Sequence, residues 1–490
     1  MLFNKNELLE AFKTEILEHN IKTDITIDEV VIDSRKSAPQ KLFFALKGEN
    51  NDGHNFLEQV FASGCELAII HDKKLFQNFF TSEKFSAAKL ILVKNTFTAL
   101  YKLAEFSRSR SHAKIIAITG SVGKTGTKEM LRDAFLTQGK THATIGNLNN
   151  HIGLPLTLCN MPRDTQFAIL EMGMNHLQEI EPLSKLARPH IAAITTIAPA
   201  HIGNFKNEEE IALAKSEIFS GLEPQGLAVI NRDNKYFEFL KNHALLAKVS
   251  EKNIFSFGKN KESDYCLENI KVYETNNSNA SDNAAKNQIW AEIFANTKNH
   301  GKVSYKISTI HQATILNSLI VLACLDLTSK QIENSLESLQ NLVAAKGRGE
   351  VINRNIGNKK ITIIDDTYNA NVSSMKAGIE YLIDLKKILH KKRAIVVLGD
   401  MFELGEKSPQ FHDEVLKFAD NVKTDFAFLA GEAMKNSAKI FSNKCKTYSD
   451  STALALDIQA FLQDGDILLV KGSRGMKMEK VVEEIAKSTN

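Results

Sequence analysis

The chain has 490 residues, with 61 lysines and arginines against 58 aspartates and glutamates and a formal net charge of +3. That length exceeds what one hydrophobic core organises, so several domains are expected. The balanced charge, without a basic stripe, gives no reason to expect a nucleic-acid partner; no run of about 18 apolar residues is available to cross a membrane; and Cys65, Cys159, Cys266, Cys324 and Cys445 stand too far apart for a disulfide framework or a zinc knuckle.

In chain order, the opening "MLFNKNELLEAFKTEILEHN" is charged and amphipathic, without an apolar signal region. A cytoplasmic protein with no integral membrane segment and with reduced, buried cysteines is therefore expected. Strands are predicted at "KLFFALKG", "CELAII" and "KLILV", followed by a helix, "TFTALYKLAEFSRSR", that ends near residue 110 and leads into a second unit. That unit opens on the strand "KIIAIT" and continues through "QFAILEM", "IAAITTI" and "GLAVIN". Its tract "TNNSNASDNAAKNQ" has almost nothing to bury and reads as a mobile loop between two strands. After "KGRGEV" a third unit carries "ITIIDD", "RAIVVLGD", "FAFLAG" and "DILLVKG", separated by amphipathic helices. Strand and helix alternate throughout, which predicts α/β layers with largely parallel sheets. In the second and third units each apolar strand ends in a small, acidic, Gly- or Asn-rich cluster. Ligands of doubly wound sheets bind beyond the carboxyl ends of strands, so the two units read as half-sites facing one cleft.

The stretch "IIAITGSVGKTGTKEM" has the back half of a phosphate-binding loop and lacks the front half. A full loop reads G-x-x-x-x-G-K-[ST], and Ile118 stands where its first glycine belongs. The context is nevertheless that of a phosphate loop: a strand to Thr119, a tight turn from Gly120 to Gly123, then a helix with Met130, Leu131, Ala134 and Phe135 on one face and Gly139 at its predicted stop. Backbone N–H groups and a helix N-terminus would face an anion, Lys124 would reach the terminal phosphates, and the Thr125 hydroxyl would serve magnesium. Glu171, ending the strand in "ILEMGMN", could hold the same ion. His201 in "APAHIGNF" follows another strand end, and Lys215 in "AKSEIF" lies on a predicted helix. Each has a plainer reading: an incidental Lys-Thr after a glycine turn, a solvated glutamate, a structural histidine, a surface lysine.

Together these stretches resemble the ATP-dependent Mur ligases of peptidoglycan synthesis, whose loop is T-G-x-x-G-K-[ST]; Thr119 to Thr125 fit that shorter pattern. "TIGNLNNHIGLPLTL", "EMG", His201 and the "AKSEIF" lysine follow in the family's order. "DSRKSAPQKLFFALKGENNDGHNF", "DDTYNANVSSMKA", "LGDMFELG" and "VKGSRGMKME" resemble the branch that joins D-alanyl-D-alanine to UDP-N-acetylmuramoyl-tripeptide, and the "DNPR" signature of the diaminopimelate-adding branch is absent. The resemblance implies a UDP-sugar substrate-binding domain over 1–110, a central P-loop-type ATP-binding domain with a mostly parallel sheet over 111–340, and a C-terminal Rossmann-like domain over 341–490. It implies a monomer that uses ATP and two Mg2+ ions.

Residue roles follow from the resemblance. Gly120, Ser121, Val122, Gly123, Lys124, Thr125 and Gly126 would cradle the phosphates. Thr125 and Glu171 would bind one magnesium, and His201 and Lys215 a second, with Lys215 carried as a carbamate in members that have this modification. Lys124, His201 and Lys215 would thus serve catalysis. Asn317 corresponds to the family's adenine-side asparagine, and Arg348 and Asp366 to third-domain contacts with the nucleotide, near Tyr368 and Asn371. Ser34, Arg35, Asp52 and Gly53 fall in the segment associated with the UDP-sugar; Ser473 and Arg474 fall in the segment associated with the incoming dipeptide, and Asn371 also stands on the substrate side. One departure is visible: relatives place G-x-H ahead of the adenine asparagine, and Ala313 takes the histidine's place here, with His311 nearby. The implied chemistry makes an amide through an acyl phosphate, behind a cleft that closes against water. A sibling ligase with another amine substrate, or a nucleotide-dependent module without ligase activity, would share the central loop.

Overall fold

The computed structural model describes residues 1–81, 88–275, 288–329 and 331–487. Apart from its ends, Thr275 and Gln288, the predicted mobile tract lies outside the described residues. Three large sheets follow one another along the chain. The first has the order Ile16–His19, Lys89–Val93, Leu67–Ile70, Lys41–Phe44, Glu29–Val31, parallel except for its first strand. The third runs Glu350–Ile356, Lys359–Asp366, Asp466–Lys471, Arg393–Gly399, Phe426–Ala430, Cys445–Tyr448, again parallel but for the first strand.

The nine-stranded central sheet positions the site. Lys114–Thr119 lies between Phe167–Glu171 and Ile191–Ile194, parallel to both. The chain passes from Lys114–Thr119 out to the edge strand Thr141–Ala143, returns to Phe167–Glu171, then crosses to the other side. That reversal opens a crevice beyond the carboxyl end of Lys114–Thr119, where the glycine turn sits. All three strands are apolar runs buried on both faces, as expected of parallel strands covered by helices. Helix Lys124–Leu136 buries Met130, Leu131, Ala134 and Phe135, and its neighbour Gln312–Thr328 is buried almost all round.

One local expectation is revised. The helix after the loop ends at Leu136, where the Gln138 and Gly139 N–H groups both donate to the Phe135 carbonyl, so Gly139 is not its stop. Gly139 serves close packing: a Cβ there would lie 2.0 Å from Gln166 Oε1, which accepts from the Lys140 N–H. The central sheet is mostly parallel, as predicted, with an antiparallel extension at one edge. Tyr265–Thr275 and Gln288–Thr297 pair antiparallel with Thr275 opposite Gln288, and Gly301–Ile307 extends the meander. Residues 291–297 and Gly301–Ile307 alternate in burial with one face toward solvent, the pattern of antiparallel sheet. No helix among the described residues is long and apolar enough to cross a membrane.

Candidate active site

The glycine turn is shaped by steric necessity. Gly120 has φ +148°, and a Cβ on it would fall 1.9 Å from Thr195 Oγ1; Gly123 has φ +85°, with the Asn317 amide against it. Glycine alone meets both demands. The rest of the turn is pinned to the segment that follows strand Ile191–Ile194: the Ser121 N–H donates to the Thr196 carbonyl, Ser121 Oγ to the Ala198 carbonyl, and Thr195 Oγ1 to the Val122 carbonyl. Gly123 then caps helix Lys124–Leu136, whose first-turn N–H groups face the crevice.

Lys124 Nζ donates to the Gly120 carbonyl at 2.6 Å, folding back over the turn. Burial holds its amine below the usual lysine range, against the attraction of Glu171 and with added repulsion from Arg348. Glu171 is 1% exposed. Its Oε1 accepts from Asn149 Nδ2 at 2.7 Å, while Oε2 is buried and accepts no hydrogen bond. A buried carboxylate oxygen without a partner is costly, and it fits a cation ligand. Thr125 is buried on the first turn of the adjoining helix.

Lys215 is also buried, on helix Glu208–Ser216, with no ion-pair partner among the described residues. Burial and then the charge of Lys124 push its amine well below the usual lysine range. His201 adopts a left-handed backbone, φ +59°, and its Nδ1 pairs with Glu403 of the third sheet's domain. Burial lowers the His201 pKa; Glu403 opposes that shift, and Lys124 and Lys215 reinforce it.

From the other side, Arg348 lies 3.8 Å over the Tyr368 ring. Asp366, ending Lys359–Asp366, is bound by Lys471 Nζ at 2.6 Å, and Lys471 also donates to the Asn369 carbonyl. Asn371 caps helix Val372–Ile388 by accepting from the Ser374 N–H. The cleft between the two sheets has a volume of about 1600 Å³, and Ser121 to Gly126, Glu171, His201, Arg348, Asp366 and Asn371 all line it. Gly120, Asn317 and Lys215 stand behind that lining. His311, the nearest substitute for the missing G-x-H histidine, does line it, with its ring edge-on to Tyr381.

The remaining candidates are elsewhere. Ser34, Arg35, Asp52 and Gly53 follow the carboxyl ends of the adjacent parallel strands Glu29–Val31 and Lys41–Phe44. Arg35 is tied to Asp33, whose carboxyl it holds near about 2; Asp52 binds His54 Nδ1 at 2.6 Å. Ser473 Oγ accepts from the Phe402 N–H, and exposed Arg474 sits 5.8 Å from the Tyr368 ring. Sequence reasoning missed Asn149, Glu403 and Lys471. Lys471 had a usable signal, a lysine closing an apolar strand; the other two acquire their roles only through distant partners.

Three family profiles match the chain in order: Mur ligase family, catalytic domain, over residues 26–108; Mur ligase middle domain over 118–325; and Mur ligase, glutamate ligase domain, over 347–474. The chain is 34% identical over 485 residues to the UDP-N-acetylmuramoyl-tripeptide--D-alanyl-D-alanine ligase of Rickettsia prowazekii (strain Madrid E), covering 99% of each. It is 31% identical to the protein of the same name from Escherichia coli (strain K12), over 96% of this chain and 97% of that one. Among solved structures it is similar to a MurF from Acinetobacter baumannii, with a TM-score of 0.82, 28% identity and 98% of each chain covered. It is also similar to the Thermotoga maritima MurF ligase in complex with ADP, with a TM-score of 0.75, 26% identity and coverage of 94% and 97%.

Proposed function

This chain belongs to the Mur ligase family, and from that premise we propose that it joins D-alanyl-D-alanine to UDP-N-acetylmuramoyl-tripeptide at the expense of ATP, giving the pentapeptide precursor of peptidoglycan. The observation that carries the reading is the convergence of Lys124, Glu171 and Arg348, from two sheets, on one cleft beyond a phosphate-type loop. The division of labour follows the three sheets: residues 1–110 take the UDP-sugar, 111–340 the ATP, and 341–490 close over the nucleotide and bring the dipeptide. All the residues named belong to one chain, so a monomer suffices.

The tripeptide carboxylate is a poor electrophile, and its attack on the γ-phosphate would give an acyl phosphate. In such a transfer the protein chiefly positions groups and neutralises charge. Lys124 and the loop N–H groups hold the β and γ phosphates, and Arg348 lies across the cleft from them. Glu171 and Thr125 would hold one Mg2+, which is what the unpartnered Oε2 fits, and His201 with Lys215 a second. Bound there, the ions would screen the phosphate oxygens from the incoming carboxylate. An ammonium at Lys215 would repel a cation, whereas an amine buried beside Lys124 favours its neutral form, the form that takes up CO2. A carbamate on Lys215 turns that position into an anionic oxygen ligand. The dipeptide amine then displaces phosphate from the acyl phosphate.

Phosphate release in the presence of UDP-N-acetylmuramoyl-tripeptide, with and without D-alanyl-D-alanine, tests the reading. Sustained release is expected only with both, and release independent of both would overturn it. A panel of amines separates this activity from that of a sibling ligase. For the carbamate, Lys215→Ala should be inactive and regain part of its activity with short-chain carboxylic acids; absence of any rescue would count against it.

A further inference from the structure

The contact between His201 and Glu403 joins the central domain to the third, and the roles assigned above leave Glu403 without a task. His201 caps a short turn, Ile202–Asn204, after the strand Ile191–Ile194; Glu403 lies in the loop after Arg393–Gly399. The two turns interlock. The Gly203 N–H donates to the Glu403 carbonyl at 2.8 Å, and a Cβ on Gly203 would meet Gly405 N at 2.8 Å. Glu403 has φ +62°, facing His201 at φ +59°, so both backbones turn sharply to present their side chains to each other. The Glu403 loop is also anchored from behind, by the Phe402 N–H donating to Ser473 Oγ and the Ser473 N–H donating to the Asp400 carbonyl.

We propose that Glu403 is a positioning residue for His201, so that the second metal site is completed only when the third domain docks on the central one. The inference rests on the metal reading given above for His201. A carboxylate only accepts hydrogen bonds, so the imidazole donates through Nδ1 to Glu403, which fixes the tautomer with the Nε2 lone pair free. Nε2 is then the ligand atom, and His201 lines the cleft that Lys124 and Glu171 also line. Carboxylate partners behind ligating histidines orient the ring and raise its basicity. Here that partner comes from the other domain, through the loop that also holds Ser473. Domain docking, ligand orientation and the dipeptide-side segment are thereby linked in one chain of contacts.

The test uses the full-length protein with a non-hydrolysable ATP analogue and UDP-N-acetylmuramoyl-tripeptide, and Mn2+ as the probe, counted by electron paramagnetic resonance. Two sites are expected in the unaltered chain. Glu403→Ala should weaken the weaker site by about tenfold to a hundredfold and leave the tighter one unchanged. Glu403→Gln, whose Oε1 still accepts from Nδ1, should stay within about threefold of the unaltered chain. A Glu403→Ala protein with both sites intact overturns the proposal, and so does a Gln variant that falls as far as the Ala variant. His201→Asn keeps the two readings apart. If it loses the weaker site while Glu403→Ala keeps it, only the positioning role fails; if it keeps both sites, the metal reading fails and takes this inference with it.

Discussion

At the scale of single residues, the loop is a set of obligations imposed by its neighbours. Gly120→Ala would push a methyl into Thr195 Oγ1 at a backbone angle of φ +148°. It should cost about 1–3 kcal/mol of stability, read from the urea midpoint, and weaken ADP binding in titration calorimetry. Lys124→Ala should lower ligation by about a thousandfold while UDP-substrate affinity stays largely intact, since Lys124 lines the cleft beyond the central sheet and the segment proposed for the UDP-sugar lies on another sheet. Full turnover of that variant would remove the phosphate role. Lys124, Thr125 and Glu171 were legible in the sequence because each sits at a fixed step from the end of an apolar strand, and strand ends determine where side chains emerge. Glu403 was not legible as a partner of His201, which is 202 positions away in the chain, because no local pattern encodes that contact.

At the scale of elements, the strands and the helix after the loop were legible from periodicity, and the antiparallel extension of the central sheet only in part. A buried carboxylate, Asp326, holds that extension to helix Gln312–Thr328. Tyr265 OH donates to it at 2.8 Å, the Asn299 N–H at 3.2 Å, and His300 Nδ1 pairs with it. Asp326→Ala would strand those donors and should destabilise the protein by about 3 kcal/mol, with faster hydrogen exchange across Gly301–Ile307. Retained protection there would show that the meander stands without the carboxylate. A second element, Lys5–Ala11, is held through Glu7, which pairs with Arg110 at the end of the first domain and with Arg163 of the central one. Burial alone would raise the Glu7 pKa, but the Asn4 N–H and the two guanidiniums together hold it below the usual glutamate range. A depressed carboxylate stabilises the fold above its unfolded-state pKa, and that stability is lost as pH falls through the folded value. Melting temperature should therefore drop as pH falls below the ordinary glutamate range, and Glu7→Gln should flatten that limb; equal slopes would remove Glu7 from the account.

At the scale of the whole molecule, the site lies between two sheets, and Gly203 packs directly against the Glu403–Gly405 turn of the third domain. Gly203→Ala would bring a methyl within 2.8 Å of Gly405 N and should hold the third domain off the second. Ligation is expected to fall by about tenfold or more while ADP still binds the loop, because the loop belongs wholly to the central sheet. Unchanged ligation would mean that the cleft does not need this contact. By itself the sequence determined the α/β class, the strand ends and the glycine turn before helix Lys124–Leu136, since these depend on the burial period of neighbouring residues and on glycine at tight turns. Only the tertiary structure decided that, among the described residues, Glu171 keeps an unpartnered oxygen and Lys215 is buried without a counterion, that Asn317 packs behind the loop, and that Glu403 meets His201. The physical reason is that desolvation and pairing are properties of the packed environment, set by residues far apart in the chain.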